Sequence, residues 1–217
     1  MSRGRFQSLP NLGKGPKRRW GILTVRLIPE RLVSQGGLNA VGIHAILSER
    51  MITLEETTLI AAPIDRIFDL ARSVEVHVAG NTHFGEQAVA EAGATSGLLG
   101  LGDTVTWRAR HFFVRQRLTS QITAFDRPAY FQDTMLRGAF DSMQHDHYFR
   151  TLPGISSEPA LTEMRDVFRF AAPIPPLGRF AELLVLRRYM QALLCERNAV
   201  VKQIAESPMN AWRQYLL

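Results

Sequence analysis

Cysteine is almost missing from this chain of 217 residues, in which Cys195 stands alone. One thiol cannot form an intrachain disulfide, and it cannot build a metal cage of several thiolates. A single free cysteine fits a reducing compartment, so we expect a cytoplasmic location.

A long uninterrupted apolar segment is missing as well. The most apolar stretch, residues 181–194, is broken by Glu182, Arg187 and Arg188, whereas a membrane-spanning helix needs about 20 apolar residues in succession. We therefore predict no membrane span. With 46% hydrophobic and 21% charged residues, the composition is that of a globular domain with a sizeable core.

Acidic residues are scarce in only one part of the chain. Residues 1–50 hold nine Lys and Arg against two Glu, a balance of +7, whereas residues 51–217 hold 17 basic and 18 acidic side chains, a balance of −1. The isoelectric point near 10.1 is thus a property of residues 1–50. It does not indicate that the remainder binds nucleic acid or anionic lipid.

Residues 1–50 carry clusters of Gly, Pro and Arg without a hydrophobic period, and we interpret them as a mostly disordered basic arm. Three origins are open: a start assigned upstream of a true start at Met51, an organellar presequence, or an export signal. Residues 51–206 have the pattern of one domain, and residues 207–217 form a tail.

The pattern of this domain predicts a strand, two short helices, several antiparallel strands and one long helix. The first strand covers 52–60, Pro63 suits the first turn of one helix, and Ser73 caps a second helix that ends at Gly80 and Asn81. Further strands are predicted at 86–91, 103–113, 117–125, in a hairpin over 131–149, and at 161–171. A last helix of roughly 30 residues ends near Glu206.

The hairpin over 131–149 places polar groups on a face that should be apolar. Alternation puts Asp133, His145 and His147 on the side of the aromatic and methionine residues, and a turn at 137–140 sets Asp133 opposite His145. Asp166 of the last strand falls on the same inner face. One interpretation is a structural network of two hydrogen-bonded pairs, His145 with Asp133 and His147 with Asp166.

The order of these elements, together with several short motifs, resembles the START-like (SRPBCC) superfamily over residues 52–206. The motifs are Gly102-Asp-Thr-Val-Thr-Trp107, Phe131-x-Asp133-x-Met135-x-x-Gly138-x-Phe140, His145-x-His147-x-Phe149, Met164-x-Asp166 and Pro176-Leu-Gly178. This superfamily includes polyketide cyclase/dehydrases, coenzyme Q-binding proteins and relatives of plant pollen allergens. The resemblance implies an α+β helix-grip fold, in which a curved antiparallel sheet wraps a long C-terminal helix around an apolar cavity.

The resemblance implies binding of a hydrophobic small molecule or lipid in that cavity. Two alternatives stay open: a polyketide cyclase/dehydrase-type enzyme with a His/Asp acid-base pair, and a protein-interaction module with an apolar groove. No catalytic set is shared across the superfamily, so we assign no catalytic residue. We also predict no metal, no cofactor and no nucleic acid, and we leave the ligand and the oligomeric state open. The predicted ligand-binding residues are Trp107, Phe131, Asp133, Met135, His145, His147, Phe149, Met164, Asp166, Phe168 and Met190.

The other histidines carry weaker expectations. His77 and His83 fall near helix ends or loops, so we expect solvent around both. His111 lies in the same alternating set as Trp107, and we expect it inside.

Overall fold

The computed structural model describes residues 51–82, 85–91, 93–111, 114–153, 160–171 and 179–216, without the side chains of 179–184. The proposed arm at residues 1–50 and His83 lie outside these ranges, and the predicted domain boundaries stay predictions. Among the described helices, none has the length and apolarity needed to cross a bilayer.

Seven strands form one antiparallel sheet in the described part of the chain, in the order β1-β7-β6-β5-β4-β3-β2. The strands are β1 (Met51–Ile60), β2 (Gln87–Ala88), β3 (Thr104–His111), β4 (Val114–Asp126), β5 (Tyr130–Arg137), β6 (Ser142–Thr151) and β7 (Thr162–Ala171). The helices are α1 (Ile64–Ala71), α2 (Val74–Gly80) and α3 (Arg179–Ala205), followed by a 3₁₀ helix (Pro208–Tyr215). The predicted α+β helix-grip architecture is confirmed.

Local sequence chemistry explains the two short helices between β1 and β2. Pro63 precedes α1, where its missing N–H costs no hydrogen bond. The Ser73 hydroxyl accepts from the backbone N–H of Val76 at 3.3 Å, so it caps α2 as predicted. Helix α3 packs on β1, α1 and α2, and this packing joins the end of the chain to its first elements.

The register of β5, β6 and β7 agrees with the prediction from alternation. Asp133 lies directly opposite His145, and Phe131 lies opposite His147. On the other side of β6, His147 lies opposite Asp166. The four predicted polar residues therefore occupy adjacent positions on three neighbouring strands.

Strand β4 departs from simple alternation. Ile122 pairs with Asp133, but the next registered pairs are Ala124 with Gln132 and Phe125 with Phe131, so the pairing shifts between Ile122 and Ala124. Such a bulge inserts one residue and reverses which side chains face inward. As a result Phe125 packs on the core, where alternation had placed Ala124.

Phe68 on α1 packs against aromatic side chains of β4, β5 and β6. Its side chain is fully buried, and the rings of Phe125, Phe131 and Phe149 pack edge-on around it at centroid distances of 5.3, 5.5 and 5.3 Å. Edge-to-face packing is favoured because the positive edge of one ring meets the negative face of another. The tail joins this cluster, since Trp212 and Tyr215 of the 3₁₀ helix pack against it.

We predict that Phe68→Ala lowers the free energy of unfolding by about 3–5 kcal/mol, because it leaves a cavity under three rings. Leu59→Ala on β1 is the matched control, since Leu59 is 47% exposed and its truncation should cost no more than about 0.5 kcal/mol. Urea denaturation of both variants measures the difference. Similar midpoints for the two variants would contradict the packing described.

Candidate functional site

A cavity of about 390 Å³ lies between the sheet and α3. Its wall is mainly apolar, with side chains from β3, β4, β5, β6, β7 and α3. The principal apolar contributors are Trp107, Ile122, Phe131, Met143, Phe168 and Met190. The volume falls within the range of about 300–1,000 Å³ that is common for small-molecule pockets.

The predicted ligand-binding residues divide into two groups by position. Six of them line the cavity: Trp107, Phe131, Asp133, His145, Phe168 and Met190. The other five lie outside its wall: Met135, His147, Phe149, Met164 and Asp166. Alternation places a residue on the inner face of the sheet, but only some inner positions reach the space left free by α3 and the helices beside it.

His147 and Asp166 stand directly behind the wall, and both are fully buried. Phe149 and Met164 belong to the core cluster around Phe68. Met135 packs beside the smaller cluster that includes Met143. Met143 therefore contributes to the wall in a position where the prediction had named its strand neighbour.

The four polar residues form a network whose hydrogen bonds cross the strand register. His145 Nε2 is 3.1 Å from Asp166 Oδ1, and His147 Nε2 is 3.2 Å from Asp133 Oδ2. His145 Nδ1 is 3.9 Å from Asp133 Oδ2, too far for the predicted hydrogen bond. His147 Nδ1 lies 2.5 Å from Asp166 Oδ1, but the angles of this contact fall outside those of a hydrogen bond. The predicted pairs are neighbours, and the hydrogen bonds run diagonally.

Helix α3 supplies two further groups that sequence reasoning did not assign. Asn198 donates to Asp166 Oδ2 at 2.7 Å, and Arg197 NH1 is 3.8 Å from Asp166 Oδ1. Asn198 is buried at 1% exposure and lies on the helix stripe with Leu194 and Val201. A polar residue on an apolar stripe was the signal that could have identified Asn198.

The two histidines of the network differ in their tendency to take up a proton. Burial, together with the nearby charge of His147, lowers the pKa of His145 to about 4, so this imidazole is neutral at pH 7. Burial also opposes protonation of His147, but the carboxylates of Asp166 and Asp133 outweigh it and raise the pKa of His147. The same contacts overcome the effect of burial on both aspartates, lowering the pKa of Asp133 and holding that of Asp166 well below its usual range.

The donor set also has the composition of a metal site. Asp133, His145 and His147 each offer one ligand atom, and these atoms lie within 4.8 Å of one another. A cation there would have to replace the hydrogen bonds to Asp133 and Asp166 and remove the proton from His147. The geometry therefore favours a hydrogen-bonded ion-pair network.

A second polar group on the cavity wall was not anticipated. His77 stacks on Trp107 with ring centroids 3.9 Å apart, and its Nε2 is 3.3 Å from Glu86. The expectation of a solvated His77 was wrong, because α2 places this side chain against Trp107 of β3 and on the cavity wall. His111 lines the cavity as expected, and its Nδ1 is 2.6 Å from the hydroxyl of Tyr189 on α3.

Glu86 is the charged centre of this second group. Burial opposes its ionisation, but His77, the amide of Asn81 and His111 together outweigh burial and keep the pKa of the Glu86 carboxyl below its ordinary value. The amide of Asn81 donates to the same carboxylate. Burial lowers the pKa of His111. Asn81 and Glu86 lie in the segment between α2 and β2. The sequence of this segment has no hydrophobic period that would have predicted their position at the cavity.

The architecture is similar to that of proteins of known structure. No protein-family model matches the sequence, and no curated protein matches it. Among solved structures, TTHA0849 from Thermus thermophilus is 19% identical, with 72% of this chain and 100% of that chain covered and a TM-score of 0.54. A START superfamily protein from Mycobacterium smegmatis is 12% identical, with 70% of this chain and 98% of that chain covered and a TM-score of 0.51.

The chain has the START-like fold. The resemblance inferred from the sequence motifs is thereby confirmed at the level of fold. At these identities the likeness to solved START-like structures extends to architecture alone, so the chemistry of the cavity has to be argued from the residues of this chain.

The crossed network predicts unequal couplings in double-mutant cycles. Asp133→Asn combined with His147→Gln should show a coupling energy within the range of about 0.5–3 kcal/mol typical of residues in one hydrogen-bond network. The control cycle, Asp133→Asn with His145→Gln, should show a smaller coupling, because those groups are 3.9 Å apart. Urea denaturation of the single and double mutants measures both. A larger coupling in the control cycle would mean that the hydrogen bonds follow the strand register.

The low pKa of His145 predicts a loss of stability in mild acid. Its folded pKa of about 4 lies below its ordinary value of 6.5, so the unfolded chain binds this proton first and stability falls as pH drops from 6.5 to about 4. The shift corresponds to a loss on the order of 3 kcal/mol. His147 contributes no change in this window, because its raised pKa makes its stabilisation complete below pH 6.5.

Urea unfolding at a series of pH values tests this expectation. The curve for His145→Gln should be flatter than that of the wild type between pH 6.5 and about 4. His111 also has a lowered pKa, but it is present in both proteins and cancels in the difference. Parallel curves would show that His145 titrates normally in the folded protein.

Proposed function

We propose that this protein binds an apolar small molecule or lipid in the cavity and that Asp133 and His145 orient a polar group of that ligand. The observation that carries the proposal is an apolar cavity of about 390 Å³ whose wall includes these two convergent polar side chains. Ligand pockets commonly combine an apolar lining with a few placed polar groups. Trp107, Phe131 and Phe168 supply flat surfaces against which the apolar part can pack.

The protonation of the network favours a ligand that donates a hydrogen bond. Asp166 is ionised and can only accept, so neutral His145 carries its proton on Nε2. Nδ1 of His145 is then an acceptor, 3.9 Å from the Asp133 carboxylate, which is also an acceptor. A hydroxyl or N–H group can donate to either atom, whereas a bare carbonyl finds no donor in this pair.

The same protonation argues against acid-base catalysis of the cyclase/dehydrase kind. A general base works best when its pKa lies near the working pH. His145, with a pKa of about 4, is a weak base, and the carboxyls of Asp133 and Asp166 are more acidic than usual. His147 has the raised pKa, but it lies behind the wall. Binding is therefore better supported than turnover.

Filling the cavity provides a direct test of ligand binding. Ala109 is buried on β3 and lines the cavity, so Ala109→Phe should occupy part of the free volume. Thr123→Phe introduces the same side chain at an exposed position of β4 and is the matched control. We expect the wild type and the control to bind 1-anilinonaphthalene-8-sulfonate saturably, and Ala109→Phe to bind it at least about tenfold more weakly.

Native mass spectrometry of protein purified from its own host complements the dye. A co-purified mass should accompany the wild type and the control and should be lost from Ala109→Phe. Dye binding that is absent from the wild type, or equal in the two variants, would contradict a ligand-binding cavity.

Competition between two probes tests the polar end. 1-Naphthol and 1-methoxynaphthalene share an aromatic body, but only naphthol donates a hydrogen bond. We expect naphthol to displace the dye from the wild type more effectively and to lose that advantage in Asp133→Leu, which removes one acceptor. Equal displacement by both probes would remove the assigned roles of Asp133 and His145 without affecting the cavity itself.

A further inference from the structure

The β3–β4 hairpin presents two pairs of arginines on its outer face. Arg108 lies directly opposite Arg117, and Arg110 lies directly opposite Arg115. All four side chains are exposed. Like charges placed directly across a strand pair destabilise the sheet, so two such pairs in succession are an arrangement that folding alone does not favour.

The partners of Arg117 and Arg108 offset this charge only in part. Arg117 NH1 is 2.9 Å from Glu91. This ion pair is weak, because both side chains are about half exposed. Arg108 donates at 2.8 Å to the side-chain oxygen of Gln87, which carries no charge. Residues 51–217 have a balance of −1, yet four of their 17 basic side chains fall within residues 108–117. This outer face of the hairpin, the cationic patch, is thus richer in basic side chains than residues 51–217 as a whole.

The other face of the same hairpin forms part of the cavity wall. Ala109 and His111 of β3 and Gln116 and Leu118 of β4 line the cavity and alternate with the exposed arginines, of which Arg117 also borders the cavity. Val114, at the end of the hairpin, is 58% exposed. The cationic patch, an exposed apolar side chain and the cavity wall therefore belong to one two-stranded element.

We propose that this outer face of the β3–β4 hairpin, with Arg108, Arg110, Arg115 and Arg117, docks on an anionic phospholipid surface. Each basic side chain near an anionic bilayer contributes about 1 kcal/mol of attraction, and guanidinium groups bind phosphate oxygens in a bidentate way. Docking would bring one side of the apolar cavity next to a bilayer that contains apolar molecules.

The chemistry of this face fits a membrane better than a nucleic acid. Single strands bind through basic grooves interleaved with aromatic rings on which bases stack. The positions that continue the arginine pairs toward the other end of β3 and β4 are Thr106 and Thr119, whose hydroxyls bond to each other at 3.0 Å. Among the described residues of these two strands, the outer face offers no ring for stacking, and Phe112 and Phe113 of the turn lie outside the described residues.

Vesicle sedimentation with the full chain tests the proposal. We compare phosphatidylcholine vesicles with vesicles that contain about one third phosphatidylglycerol, at about 0.05 M and about 0.5 M NaCl. The protein should bind only the anionic vesicles and should dissociate at high salt. The variant Arg110→Gln/Arg115→Gln should bind at least about tenfold more weakly, and Arg108→Gln/Arg117→Gln should show the same loss.

The matched control is Arg150→Gln/Arg165→Gln, which makes the same change of charge on the outer face of β6 and β7, at side chains that are 68% and 41% exposed. It should retain wild-type binding. Residues 1–50 are identical in all these proteins, so any attraction through them cancels in the comparison.

Several results would overturn the proposal. These are equal binding to neutral and anionic vesicles, equal losses in the hairpin variants and the control, and hairpin variants that bind like the wild type. Binding to a thymidine oligonucleotide that depends on the hairpin arginines, without vesicle binding, would assign the patch to nucleic acid. None of these results bears on dye binding in the cavity, so this proposal and the ligand-binding proposal can fail independently.

Discussion

Asp166 is an ionised carboxylate with no exposure to solvent, and the arrangement of sheet and helix around the cavity depends on compensating it. Removing a carboxylate from water costs several kcal/mol unless charges and hydrogen bonds replace the lost solvation. Both histidines of β6 contact this group, as do Arg197 and Asn198 of α3. Because these partners come from different elements, α3 must dock in one position along the sheet to satisfy them.

This compensation also decides what the cavity can do. His147 and Arg197 balance the charges of Asp133 and Asp166, which leaves His145 neutral on the wall. A second positive charge on His145 would face His147, whose ring centroid is 3.9 Å away. Asp133 and His145 thus present two acceptors on a wall that also includes the Arg197 guanidinium. This arrangement supports the proposed recognition of a donor better than movement of protons.

Period-two alternation predicted the register of β5, β6 and β7, because one face of the sheet is apolar and a shift of one residue would expose it. The fold itself was predicted from the order of the elements and the resemblance to the START-like superfamily. Alternation could not predict the diagonal hydrogen bonds of His145 and His147, which depend on side-chain rotamers. It also failed at the bulge in β4, where Phe125 faces inward. His77 reaches the cavity through the position of α2, and tertiary contacts of this kind leave no mark on local sequence periodicity.

The β3–β4 hairpin shows why net charge is a poor guide to surface chemistry. Inside the domain, opposite charges collect around Asp166 and cancel at short range, so they contribute little to the field outside. On the outer face of the hairpin, four arginines occupy directly opposed positions of two strands. A balance of −1 over residues 51–217 therefore combines the four arginines of the hairpin with a balance of −5 (13 basic and 18 acidic side chains) over the other residues. Long-range attraction follows the cationic surface, since exposed charges within about one Debye length act together on an approaching polyanion.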